Sequence, residues 1–294
     1  MRETTGLSRR LFLVGLGMAA TAIPALARFG NYEFGAVKNT EDFDAAVKYG
    51  FDYHEPSVCE IAGMSEGEFQ SFKKRVLASP IRCKRLNFFT TPPPAFPNLP
   101  TLRVVGDEAN MAELTKYVDR SLDRCRQLGA IIVVWGSGGS RNVAEGFSRD
   151  RAWQQIKAFL GMTDGIARKN RITVAVEPIT AKNCNILTTG AEVFKLVNEV
   201  NLPNIRMMID YYQMRSMNED PDIVWQARER IVHLHFANPN QGTWPKSPSE
   251  DSEYGHFFGL VKKMNYHGGI SIEAKGEIAQ DAAGSLAFFR QELA

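Results

Sequence analysis

Cysteine is scarce in this sequence, and charge of one sign does not dominate. The 294 residues include four cysteines, Cys59, Cys83, Cys125 and Cys184, and no two of them form a CxxC motif. There are 35 lysines and arginines against 33 aspartates and glutamates, which leaves a formal net charge of +2. Because proteins that bind nucleic acid usually present a strongly basic surface, this balance argues against a nucleic-acid partner.

Long apolar runs are absent beyond residue 27, so no stable membrane insertion is predicted for residues 28–294. Before that point, an uncharged stretch, Leu11–Ala27, follows Arg9 and Arg10 and ends in Ala25-Leu26-Ala27. This arrangement resembles a twin-arginine export signal with an A-x-A cleavage site. The alternative is an N-terminal membrane anchor, but the stretch is short for a bilayer and is broken by two glycines and Pro24. We predict that residues 1–27 direct export, to the periplasm or otherwise out of the cytoplasm, and are cleaved after Ala27.

Removal of this signal has two consequences for the remaining chain. Residues 1–27 contain Arg2, Arg9, Arg10 and Glu3, so residues 28–294 carry no formal net charge. Twin-arginine substrates generally fold before export in a reducing cytoplasm, so the four thiols are predicted to be free. The remaining length suits one (β/α)8 domain.

Four potential metal ligands each end a short apolar run. The runs read ITVAVE, IRMMID, IVHLH and GGISIE, and they end at Glu177, Asp210, His235 and Glu273. Such runs are typical of buried parallel strands, and the carboxyl ends of strands carry the catalytic residues of a (β/α)8 barrel. Three carboxylates and an imidazole suit one divalent ion, Mn²⁺, Mg²⁺, Co²⁺ or Zn²⁺.

Alternating strand and helix patterns extend over the rest of the chain and predict an α/β fold, a single-domain (β/α)8 TIM barrel. Further strands are predicted at Tyr32–Val37, Phe51–Glu55, Ile81–Phe88 and Ala130–Val134. Helices are predicted at Asn39–Tyr49, Ser65–Leu77, Glu108–Leu128, Arg151–Lys169, Thr189–Val200, Pro221–Arg228, Tyr254–Met264 and Ala279–Glu292. The proline-rich segment Thr90–Pro100 is predicted to form a wall of the site rather than a linker.

Several segments together resemble a known family. They are FDYHEP, VVWGSGGSRNVAEGF, VAVEPITAKNCN, IRMMIDYYQM, VHLHFANPNQ and GGISIEAKG. They are similar to the xylose isomerase-like TIM barrels, often labelled sugar phosphate isomerase/epimerase, which include ketose 3-epimerases, hydroxypyruvate isomerase and inosose dehydratase. The resemblance runs from about residue 31 to the C-terminus. It implies that Glu177, Asp210, His235 and Glu273 bind the metal and that Glu177 and Glu273 are the acid/base pair.

This resemblance implies isomerisation or epimerisation of a sugar. A carbon next to a carbonyl is a weak acid, and a divalent ion stabilises the enediolate that forms on deprotonation. Two carboxylates on opposite faces can remove a proton on one side and return it on the other. Elimination of water from a keto-polyol by a lyase, and a periplasmic sugar-binding protein without catalysis, remain as alternatives.

The sequence departs from the family pattern at positions near the substrate. Gln213 stands where the family motif Asp-x-Tyr-His-Met has histidine, and Asn238 and Gln241 replace a glutamate and an arginine. The loss of both charges predicts a neutral, unphosphorylated sugar as the small-molecule partner. Candidate substrate contacts are Gln213, Asn87, Trp135, Gln241 and Lys275. The alternatives are core packing for Trp135, a structural role for Asn87 and pairing with a carboxylate for Lys275.

Two further residues have open or secondary roles. Glu55 ends the second strand and is predicted either to reach the ligand or to have a structural role. His233 and His235 are predicted to face opposite sides of their strand, so that only His235 points into the barrel and His233 packs between strand and helices. A homo-oligomer is possible.

Overall fold

The computed structural model of the protein describes residues 32–92, 96, 99 and 102–294. The predicted export signal, residues 1–27, lies outside the described residues. Within these residues, no helix is both long enough and apolar enough to cross a membrane. All four cysteines are buried and free, which confirms the prediction for the thiols.

Eight parallel strands form a nearly closed barrel. They are β1 (Glu33–Val37), β2 (Tyr53–Glu55), β3 (Arg85–Leu86), β4 (Ile132–Trp135), β5 (Thr173–Val176), β6 (Ile205–Asp210), β7 (Ile231–Phe236) and β8 (Gly269–Ile272). The pairing order is β2-β1-β8-β7-β6-β5-β4-β3, so the first strand pairs with the last. Between β2 and β3 the barrel closes through isolated bridges, Tyr53 with Arg82 and Ser57 with Asn87. The predicted TIM barrel is therefore confirmed.

Eleven α-helices lie in the part of the chain that the structure describes. They are α1 (Phe43–Lys48), α2 (Val58–Gly63), α3 (Glu66–Ala78), α4 (Met111–Gln127), α5 (Gly138–Arg141), α6 (Arg149–Asn170), α7 (Gly190–Val200), α8 (Tyr211–Ser216), α9 (Ile223–Gln226), α10 (Tyr254–Lys263) and α11 (Ile278–Glu292). Several long helices begin at side-chain caps. Ser65 and Glu68 form a reciprocal capping box at α3, and the Asn110 side chain accepts from two backbone N–H groups at the start of α4.

Side chains alternate along each strand between the helix layer and the barrel interior. Val133 and Trp135 belong to the large apolar core between strands and helices. Their neighbours Ile132 and Val134 belong to a separate small cluster with Ala175 and Met208, which fills the interior. Polar ligand types follow at the ends of β5 to β8, so the interior changes from apolar to acidic toward the carboxyl ends of the strands.

Several predicted boundaries differ from the observed ones. The third strand is only Arg85–Leu86, and the first helix begins with a 3-10 turn, Thr40–Asp42. Three short helices, α2, α5 and α8, lie in loops that follow strands and were not predicted. Each is six residues or shorter, so its hydrophobic period is too brief to detect in the sequence.

Candidate active site

The four side chains that end the apolar runs come together at the carboxyl ends of strands β5 to β8. Glu177, Asp210, His235 and Glu273 each offer one ligand atom, and these atoms all lie within 4.8 Å of one another. Glu177, Asp210 and His235 are almost completely buried. The Glu273 side chain keeps 26% of its surface exposed. The barrel therefore assembles, from four distant segments, a group that could hold one metal ion.

Short contacts fix the orientation of these groups. His235 Nδ1 lies 2.7 Å from Glu273 Oε2 and 3.6 Å from Glu177 Oε1. Asn87 Nδ2 donates to the other oxygen of Glu273 at 3.1 Å, and the Gln213 backbone N–H donates to Asp210 Oδ1 at 3.0 Å. The imidazole nitrogen thus faces the carboxylates, and two of the three carboxylates are held by neutral donors.

Burial makes the site unfavourable for three negative charges without a cation. Burial raises the pKa of Glu177, and the negative charge of Glu273 raises it further. Burial, and then the charges of Glu177 and Glu273, raise the pKa of Asp210 to about 8. Burial alone would lower the pKa of His235, but the charges of Glu55 and Glu273 outweigh it and hold this pKa well above its usual value.

One buried oxygen atom indicates whether a metal ion would fit among these four residues. Glu177 Oε1 is buried and has no hydrogen-bond partner. A buried polar atom is costly to leave without a partner, and a divalent cation among three carboxylates and an imidazole would satisfy it. The donor set is the one that Mn²⁺, Mg²⁺, Co²⁺ or Zn²⁺ accepts, so these residues fit a divalent ion.

The loop after β4 makes room for Glu177. A Cβ atom on Gly136 would lie 1.7 Å from Glu177 Oε2, so only glycine leaves space for the carboxylate at this position. Arg141, fully buried, donates to the backbone oxygens of Trp135 at 2.9 Å and Glu177 at 2.5 Å. These contacts join the ends of β4 and β5 and set where the Glu177 side chain begins.

A cavity of about 560 Å³ opens above the acidic group. Glu177, Glu273 and Gln213 line it, together with Ser137 and Asn183. Its outer wall includes Phe88, Thr91, Pro92 and Leu99, so part of the predicted proline-rich segment does line the cavity. Among the residues that the structure describes, the lining contains no lysine or arginine.

Comparison with known proteins identifies the fold family. The family model of the xylose isomerase-like TIM barrels matches residues 43–292, which is most of the chain. The protein belongs to this family. A probable ketose 3-epimerase of Synechocystis sp. is 27% identical over 180 residues, which cover 57% of this chain and 58% of the relative. Hydroxypyruvate isomerase of Escherichia coli is 25% identical over 141 residues, which cover 47% of this chain and 54% of the relative.

The matched segments therefore span about half the length of these curated relatives. Among solved structures, D-allulose 3-epimerase from Methylomonas sp., in complex with D-allulose, superposes with a TM-score of 0.74. The sequence identity is 18%, and the match covers 89% of this chain and 97% of that structure. At this identity the likeness shows a shared fold.

Not every candidate substrate contact lies at the acidic group. Gln213 lines the cavity, and its Oε1 accepts from the Thr180 backbone N–H at 3.0 Å. Asn87 reaches Glu273, as described above. Gln241 and Lys275 instead line a separate depression of about 500 Å³ beside Trp244, so the structure does not bring them to the acidic group.

For Trp135 the structure shows core packing, which was the alternative to contact with a sugar. Its ring is completely buried, packs against Phe159 with ring centroids 5.0 Å apart, and donates from Nε1 to Thr90 Oγ1 at 3.0 Å. Strand alternation directs this side chain toward helix α6 rather than toward the cavity. It belongs to the core.

The prediction for His233 is wrong. Residues two positions apart on a strand point to the same face, and the rings of His233 and His235 lie 4.8 Å apart inside the barrel. Both rings approach Glu55, His233 Nε2 at 3.0 Å and His235 Nε2 at 2.9 Å. Glu55 therefore contacts a candidate metal ligand and does not line the cavity. In the sequence, the features that point to this contact are a carboxylate at the end of one strand and two histidines at alternate positions of another.

Proposed function

We propose that this protein is a metal-dependent isomerase or epimerase of a non-phosphorylated sugar or keto-sugar. The observation that carries the proposal is the convergence of Glu177 and Glu273 on one cavity beside Asp210 and His235. The ketose 3-epimerase and hydroxypyruvate isomerase among the relatives support the same class of reaction. All these reactions move a proton on a carbon next to a carbonyl.

The two glutamates would transfer the proton. Glu177 and Glu273 follow strands β5 and β8 and both line the cavity, so they approach a bound ligand from different sides. One removes a proton and the other returns a proton to the opposite face of the planar enediolate. Burial raises the pKa of Glu177, which suits a group that must hold a proton during the cycle. Asn87 keeps Glu273 in place by donating to Oε1.

The four clustered residues would hold the metal ion. When bound, a divalent ion supplies positive charge beside the substrate oxygens and so makes the neighbouring C–H group more acidic. Glu177, Asp210, His235 and Glu273 are the side chains that fit this role.

The absence of lysine and arginine from the described lining of the cavity supports a substrate without a phosphate or carboxylate group. Recognition of a phosphate or carboxylate normally uses lysine or arginine, and the described lining has neither. Gln213 uses its amide oxygen for Thr180, which leaves its NH₂ group as a donor for a substrate hydroxyl. We also propose that the chain is exported through residues 1–27 and acts outside the cytoplasm.

A deuterium-exchange experiment tests the function. The protein, purified and loaded with Mn²⁺, would be incubated in D₂O with free ketoses, including D-allulose, and followed by NMR. Deuterium at a carbon next to the carbonyl, with an epimer or isomer as product, supports the proposal. Loss of water from the sugar would instead identify the lyase, and sugar binding without any exchange would identify a binding protein.

Two variants locate the acid/base pair. Glu177→Gln and Glu273→Gln keep the size of the side chain but remove the basic carboxylate. Each is expected to lower turnover by about 10²–10⁴-fold, with a smaller effect on metal content. If either variant keeps near wild-type turnover with metal present, that glutamate is a ligand only, and the two-base mechanism does not apply.

A further inference from the structure

A completely buried carboxylate lies beneath the acidic group and takes no part in lining the cavity. Glu55, the last residue of β2, is 0% exposed. Its Oε1 lies 2.9 Å from His235 Nε2, and its Oε2 lies 3.0 Å from His233 Nε2 and accepts from Ser271 Oγ. Each oxygen therefore faces only groups that can donate a hydrogen bond. The nearest of these residues in the sequence, His233, is 178 positions away.

We propose that Glu55 is a positioning residue that makes His235 an Nδ1 metal ligand. The proposal rests on the metal centre of the proposed function. A neutral imidazole carries one N–H and one lone pair. Because the Glu55 carboxylate can only accept, it selects the form of His235 that is protonated on Nε2. The lone pair is then on Nδ1, which is the nitrogen that faces Glu273 and Glu177.

The surroundings of Glu55 explain why it can hold the ring in one orientation. Ser271 Oγ is itself hydrogen-bonded to Tyr53 Oη at 2.6 Å, and His233 Nδ1 lies 3.0 Å from the Gly269 backbone oxygen. These partners come from β2, β7 and β8, so three strands fix the carboxylate. A ring held on one side by such a network cannot rotate to present its other nitrogen to the cavity.

The same contact would strengthen the ligand. A carboxylate that accepts the remote N–H of a metal-binding histidine raises the basicity of the ligating nitrogen. Loss of such a partner typically costs about 10- to 100-fold in metal affinity. Glu55 would therefore act on the metal through His235 without touching the metal or the substrate.

Zinc affinity of the purified full-length protein is the first measurement. The dissociation constant would be obtained by competition with a chromophoric chelator for wild type, Glu55→Ala, Glu55→Gln and Ser271→Ala. Glu55→Ala is expected to weaken binding by about 10- to 100-fold. Glu55→Gln keeps an acceptor oxygen without the charge, so it is expected to lose less zinc affinity than Glu55→Ala. Ser271→Ala removes a donor to Glu55 Oε2 but leaves the contact between Glu55 Oε1 and His235. Its zinc affinity is therefore expected to fall by clearly less than about 10-fold, the smallest loss expected for Glu55→Ala.

Nitrogen-15 NMR of the histidine rings is the second measurement. It reports which ring nitrogen of His235 is protonated, and a merely structural role of Glu55 would not change this. Zinc-loaded wild type should show His235 protonated on Nε2 with Nδ1 bound to the metal. In Glu55→Ala this preference should be lost. The wild-type spectrum needs no variant, so it keeps the test decisive even if Glu55→Ala does not fold, as judged by circular dichroism.

The outcomes separate this inference from the proposed function. If the wild-type protein binds no divalent metal, both the positioning role of Glu55 and the proposed metal-dependent function are wrong. If zinc binds and is lost in His235→Ala, but Glu55→Ala keeps wild-type affinity, only the positioning role falls. Protonation of His235 on Nδ1 in the zinc-loaded wild type would also overturn it.

Discussion

Replacement of Gly136 by alanine should displace one carboxylate of the proposed acid/base pair while leaving the fold intact. The new Cβ would lie 1.7 Å from Glu177 Oε2 and 2.8 Å from Glu177 Cδ. Contacts of a Cβ below 3.0 Å essentially do not occur, so Glu177 Oε2 must move by about 1.3 Å. The backbone of Glu177 cannot follow easily, because buried Arg141 holds its carbonyl oxygen.

The size of this shift sets the expected loss. Ligand distances in metal sites are kept within about 0.2 Å. Because Glu177 Cδ would also lie closer than 3.0 Å to the new Cβ, the whole carboxylate must shift, and its contact with a metal ion would weaken. Misplacement of a catalytic group by about 1 Å can cost about 10²-fold in rate, which corresponds to about 2.7 kcal/mol in activation free energy. We expect Gly136→Ala to lose at least that factor in kcat/KM and to bind metal more weakly.

The assay compares this variant with a glycine that has free space. Gly161, within helix α6, has no heavy atom within 4 Å of an added Cβ. Gly161→Ala should keep wild-type exchange and gain about 1 kcal/mol in the free energy of unfolding, since alanine favours the helix. Metal content and deuterium exchange would be measured for both variants. Wild-type values in Gly136→Ala would refute the reasoning, because they would show that Glu177 does not act from its position beside Gly136.

Three further predictions concern metal binding and export. Asp210→Ala and His235→Ala should each sharply reduce the divalent metal found by elemental analysis, and unchanged content in both would contradict the ligand assignment. Since the pKa of Asp210 without metal is raised to about 8, the carboxyl holds a proton at neutral pH, and metal binding must displace it. Calorimetry of metal binding in buffers of different ionisation enthalpy should therefore detect proton release at neutral pH. The affinity for the metal should fall further as pH drops. Metal binding without proton release would be inconsistent with a protonated Asp210. Replacement of Arg9 and Arg10 by lysine should retain the protein in the cytoplasm, and continued export in fractionated cells would argue against a twin-arginine signal.

The strand ends explain how much of the site could be predicted from the sequence. Each of β5 to β8 is a short apolar run that ends at or close to a polar ligand type. In a parallel barrel all carboxyl ends of strands lie on one face. The polar residue that ends each run is therefore enough to predict that four side chains lie close together: Glu177, Asp210, His235 and Glu273. The group of candidate ligands was therefore within reach of local patterns.

Loop residues were less predictable for a physical reason. Gln241 and Lys275 follow strands that carry candidate ligands, yet they line a depression away from the acidic group. The direction of a side chain beyond a strand end depends on the path of the loop, and that path is set by hydrogen bonds such as Lys275 N–H to the Gly242 oxygen. No periodicity in the sequence encodes such contacts.

By itself, the sequence determined the barrel, its approximate strand and helix segments and the four strand-end ligand candidates, because alternation and apolar runs are local properties of the chain. Only the tertiary structure decided which groups meet across the barrel. Trp135 is in the core because its strand turns that side chain toward α6. Glu55 meets His233 and His235 because β2 and β7 both turn these side chains into the interior. Contacts between residues 178 and 180 positions apart depend on how the strands close into a ring, and one-dimensional patterns carry no information about that closure.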